Sequence, residues 1–66
     1  MTPREADEAA VKQKRIMYDG MEYLRITGAG YNYDDRGRRH PYIVLLDKCK
    51  NSVTYADPFK CTLKPE

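Results

Sequence analysis

An unbroken apolar run, Tyr42-Ile43-Val44-Leu45-Leu46, directly follows a basic, turn-forming stretch, Asp34-Asp35-Arg36-Gly37-Arg38-Arg39-His40-Pro41. A short strand that is apolar at both odd and even positions reads as one covered from both sides. Asp34-Asp35-Arg36-Gly37, with Asp at its start and Gly at its end, reads as a β-turn. Pro41 cannot donate to a ladder, so it belongs at the first position of the strand or on an edge. The remaining segments must therefore pair with this strand or cover it.

A chain of 66 residues holds one domain at most, and at this size a single core leaves little margin of stability. Two cysteines and one histidine are too few for a closed structural zinc site, which takes four protein ligands, and no cofactor motif is present. The first eight residues, Met1-Thr2-Pro3-Arg4-Glu5-Ala6-Asp7-Glu8, carry no apolar core of a secretion signal. No apolar run approaches the roughly 20 residues that a membrane helix needs. The expectation is a cytoplasmic chain with reduced thiols and no membrane partner. The formal net charge of +2 is too small to demonstrate a nucleic-acid partner. Its distribution is more telling, since Glu5, Asp7 and Glu8 sit at the N-terminus and leave the rest more basic.

Along the chain, Thr2-Pro3-Arg4-Glu5 has the form of a helix start: Thr2 as cap, Pro3 at the first turn and Glu5 three residues after the cap. The helix formers that follow offer a thin apolar face of Ala6, Ala9, Ala10 and Val11. This predicts a short helical appendage over residues 1–13, marginal by itself. From residue 14 the pattern changes. Arg15 to Tyr18 reads as a strand, Asp19-Gly20 as a hairpin turn, and residues 21–33 as a long alternating strand bent at Gly28-Ala29-Gly30, where a bulge is expected. Further strands are expected over 42–46, 52–55, with Val53 and Tyr55 on one face, and 61–63. Asp57 is placed to cap one turn of 3₁₀ helix beginning at Pro58.

Five short strands with tight turns predict a mainly β domain over residues 14–64. The order of hairpin, bent strand, two tight hairpins and a 3₁₀ turn before a short last strand resembles the SH3-like barrel. An OB-like barrel is the alternative. In the SH3-like topology a strand separates Cys49 from Cys61. Strand residues rise about 3.3 Å each, so that strand alone exceeds the roughly 7 Å Cα span of a disulfide, and both thiols are expected to be free. The segments Tyr18-Asp19-Gly20, Arg25-Ile26-Thr27-Gly28, Asp35-Arg36-Gly37-Arg38, Asn51-Ser52-Val53 and Ala56-Asp57-Pro58 resemble those of short uncharacterised proteins encoded by bacterial phages and mobile elements. That resemblance carries no functional residue across.

Catalytic chemistry has few candidates. His40 with Cys49 or Cys61 is the single possible Cys–His arrangement, but its position between Arg39 and Pro41 beside a turn is that of a solvated histidine. Asp34 and Asp35 are neighbours whose side chains point to opposite faces in extended structure, and they lack calcium-loop spacing with Asp47. Gly28-Ala29-Gly30 lacks the third glycine and following helix of a phosphate cradle. No enzymatic role is expected. One constellation remains: Tyr31, Tyr33, Arg36, Arg38, Arg39 and Tyr42, with His40 among them. Tyrosine and arginine together are enriched at protein–protein interfaces, and the same pair can stack on bases and grip phosphates. The expected function is non-catalytic binding, to a protein partner first and to nucleic acid as the alternative, by a monomer or weak dimer. The bland reading of these tyrosines is core filling in a chain with one Phe and no Trp.

Overall fold

The structure, a computed structural model, describes residues 1–65. It is mainly β: one short helix, α1 (Pro3–Val11), and six strands, β1 (Ile16–Tyr18), β2 (Met21–Tyr23), β3 (Arg25–Tyr33), β4 (Arg39–Leu46), β5 (Val53–Ala56) and β6 (Cys61–Leu63), with a 3₁₀ turn at Pro58–Lys60. The strands form two three-stranded antiparallel sheets, ordered β2-β1-β6 and β3-β4-β5. No pairing closes the two sheets into a barrel among the described residues.

Several local rules are obeyed. The Thr2 side chain accepts from the Glu5 amide at 3.2 Å and the Thr2 amide donates to the Glu5 carboxylate at 2.9 Å, completing the capping box. Asp19 and Gly20 adopt φ of 52° and 75°, the left-handed pair of a type I′ hairpin turn. The Asp57 carboxylate accepts from the Phe59 amide at 3.0 Å and caps the 3₁₀ turn.

Tertiary packing departs from the sequence reading at several points. The long strand over residues 21–33 is broken at Leu24, whose amide leaves the ladder of the first sheet and donates to Leu46 O at 2.9 Å. The chain thereby passes from one sheet to the other, giving β2 to the first and β3 to the second. The bulge lies ahead of the glycines: Ile26 pairs with Leu45 and Gly28 with Val44, leaving Thr27 as the extra residue. β4 begins at Arg39, so Pro41 lies inside the strand. β5 accompanies β4 only from Ile43 to Leu46, so β4 is an edge strand at Pro41 and the missing donor is tolerated. The helix, finally, belongs to the core in its packing. Ala6 and Ala9 are buried with Ile16, Tyr23, Ile26, Ile43, Leu45, Ala56 and Cys61. Their small side chains let the helix backbone lie close against β3, whereas Val11 points to solvent.

The apolar run of β4 is covered fully on one side only. Ile43 and Leu45 are buried, while Tyr42, Val44 and Leu46 are half-buried. The second sheet has α1 and the first sheet against one face, and a chain this short supplies no further layer for the other. Val53 and Tyr55 do share a face, and it is this outward one, where both are exposed.

Candidate functional site

The β3–β4 hairpin carries every residue of the sequence-predicted constellation, and residues 31–40 are all exposed. The turn is set by Asp34. One carboxylate oxygen accepts from the amides of Arg36 and Arg38, both at 2.9 Å, and the other lies 2.9 Å from His40 Nε2. The Asp34 carbonyl also accepts from the Gly37 amide at 3.0 Å, and Gly37 supplies the φ of 73° that the turn requires. The His40 ring and these amides hold the Asp34 carboxyl below the usual carboxylate range. Asp34 therefore organises backbone and His40. No arginine side chain of the tip is within ion-pair distance of a carboxylate among the described residues, and Arg36 and Arg38 are exposed.

Register divides the constellation between the two faces of the hairpin. Tyr33 is opposite Arg39, Tyr31 opposite Pro41, Gly30 opposite Tyr42 and Asn32 opposite His40. Directly opposed residues share a face and alternate residues do not. Tyr31, Tyr33, Arg39 and Pro41 thus lie on the face that continues inward to Ile43 and the core. On this face the Arg39 guanidinium sits 4.4 Å from the centroid of the Tyr31 ring, within the range of a cation–π contact. Tyr33 is 70% exposed beside it.

Tyr42 lies on the other face with His40. Its ring crosses Gly30, where an added Cβ would stand 2.7 Å from the Tyr42 hydroxyl, and meets Tyr55 edge-on at 5.6 Å between centroids. The structure therefore brings Tyr31, Tyr33 and Arg39 together, with Arg36 and Arg38 at the tip, and separates Tyr42 from them.

Below Tyr31 the same face opens into a shallow cleft of about 570 Å³. Ala29, Tyr31 and Pro41 form one wall, with Pro58 and the N-terminal half of α1, where Arg4 and Asp7 stand, forming the other. These helix residues escaped sequence reasoning, because nothing local to residues 1–13 indicates which strand α1 covers. Tyr55 was missed as the partner of Tyr42 for a similar reason, although the period-two alternation of β4 and β5 carries the signal. His40 and the two cysteines do not converge on a nucleophile: His40 is at the tip, Cys49 is exposed in the β4–β5 turn, and Cys61 is buried with its Sγ donating to Asp57 O at 3.3 Å. No group of three His, Cys, Asp or Glu residues is arranged to hold a metal ion among the described residues. No helix among them is long and apolar enough to cross a membrane.

Comparison with protein-family models, with curated proteins and with solved structures finds no match.

Proposed function

We propose that the chain is a non-catalytic binding module that recognises a protein partner through one face of the β3–β4 hairpin. The observation that carries this reading is the Tyr31–Arg39 stack beside exposed Tyr33. Large aromatic and guanidinium groups held in place before binding lose little conformational freedom on association, which is how hot-spot residues concentrate affinity. The Asp34-centred turn supports the same reading, because it fixes the hairpin end that presents them. Tyr42 is a support for the sheet in this proposal, not a contact.

The fold inferred for this module is an SH3-like barrel in a cytoplasmic setting. Support comes from the β2–β3 passage, which gives half of one bent strand to each sheet, and from β6 returning beside β1 after a 3₁₀ turn. A second reading, nucleic-acid binding by the tip, draws on the exposed guanidinium groups of Arg36 and Arg38, which form no ion pair among the described residues, next to two exposed tyrosines.

Pull-down from the source cell separates the two readings. For a protein partner, Tyr31→Ala or Tyr33→Ala reduces capture more than Arg38→Ala does, and equal losses at all three would count against aromatic anchors. For nucleic acid held by the tip, affinity falls linearly with log salt, and replacing Arg36 and Arg38 by Gln flattens that slope.

A further inference from the structure

At the opposite end of β4 from the tip, about 25 Å away along the strand, three cations converge on a single carboxylate. Glu22 faces outward on the first sheet, on the side of Met17 and Thr62 and away from the core. Arg15 donates to it at 2.6 Å, Lys48 lies 3.5 Å away, and Lys64 pairs with its other oxygen. The Glu22 side chain is 10% exposed, whereas those of Arg15, Lys48 and Lys64 are 52%, 55% and 42% exposed. The anion lies beneath and the cations lie above it. One negative charge cannot neutralise three positive ones, so the cluster presents an excess of two positive charges to solvent.

The cations come from three separate segments: the approach to β1, the β4–β5 turn and the end of β6. The last two are positioned by pairing and by Glu22 itself, so sequence spacing gives no hint of the cluster. Beside it, Arg15 and Lys64 line an open groove of about 710 Å³ whose lining contains no aromatic ring.

We infer that the Arg15–Lys48–Lys64 surface over Glu22 is a docking site for the phosphodiester backbone of a nucleic acid. A surface with more cations than anions attracts a polyanion, and with no aromatic ring in the adjoining groove it would contact phosphates without reading bases. Glu22 holds the three cations in place and limits their strength by occupying donors that a phosphate would otherwise use. The inference goes beyond the hairpin reading and stands independently of it, since the two surfaces share no residue.

Fluorescence anisotropy of a labelled oligothymidylate, titrated with the full chain at several salt concentrations, tests it. The expected result is affinity that falls linearly with log salt. In the Lys48→Gln, Lys64→Gln double variant, which retains the Arg15–Glu22 pair, the slope falls by about 1.4, roughly 0.7 for each lost phosphate contact. The Arg36→Gln, Arg38→Gln variant leaves the slope unchanged. Glu22→Gln, where circular dichroism confirms folding, binds more tightly than the parent. The inference is overturned by binding that does not depend on salt, by a slope lost only in the hairpin variant, or by a glutamate-rich peptide that competes as well as unlabelled oligothymidylate does.

Discussion

The guanidinium of Arg39 lies 4.4 Å from the centre of the Tyr31 ring, reached diagonally from its direct partner Tyr33. This contact joins the two strands of the hairpin outside the hydrophobic core, where ladder hydrogen bonds alone would leave the strands loosely coupled. A double-mutant cycle with Tyr31→Leu and Arg39→Gln, measured by urea unfolding, is expected to give a coupling of about 0.5–1 kcal/mol. Additive single effects would mean that the ring and the cation do not interact in solution.

Gly30 and Tyr42 form a second cross-strand relationship, on the opposite face. Alanine ordinarily suits a strand better than glycine, yet here its methyl would stand 2.9 Å from Tyr42 Cζ. Gly30→Ala is therefore expected to destabilise by about 1–3 kcal/mol through displacement of the ring from Tyr55. Introduced into a Tyr42→Ala background, the same change should cost markedly less. An equal cost in both backgrounds would place the strain elsewhere.

Glu22 makes stability depend on acid. Hydrogen bonds from Lys64 and then Arg15 hold its carboxyl down at about 2, against an ordinary value of 4.5. The folded chain thus binds this proton less tightly than the unfolded chain does. The stabilisation is complete above about pH 4.5 and is lost as pH falls from there toward 2. Urea midpoints across this range should decline steeply for the parent. Glu22→Gln should be less stable at neutral pH and show a shallower decline, with Asp34 and Glu5, whose carboxyls are also held low, supplying the rest. A variant whose acid limb matches the parent's would rule out the Glu22 cluster as its source.

The two cysteines should react at very different rates. Cys49 is exposed, whereas Cys61 has no accessible surface and burial pushes its thiol pKa up. A thiol-specific reagent at neutral pH is expected to modify one thiol rapidly and the second only after denaturant is added. Two fast thiols would contradict the buried start of β6, and none before reduction would indicate a bridge.

Much of the local structure was legible in the residues. The capping box at Thr2 and Glu5, the Asp19-Gly20 turn and the 3₁₀ turn at Pro58 each depend on a few neighbouring residues, whose conformational preferences act over one turn of chain. The basic, tyrosine-flanked tip was legible for the same reason. Its division into two faces required the register, because Tyr31 and Tyr42 belong to different strands and only the pairing with Pro41 and Gly30 places their rings on opposite sides.

Local residue preferences specify the elements: a capped helix, short strands, and a turn rich in Asp, Gly and Arg ahead of an apolar run. The helix's place in the core, the break at Leu24 that shares one run between two sheets, and the convergence of Arg15, Lys48 and Lys64 on Glu22 arise only on folding. The difference lies in the range of the forces involved. Caps and turns are settled by bonds between near neighbours, whereas burial and ion pairing act between residues that only folding brings together.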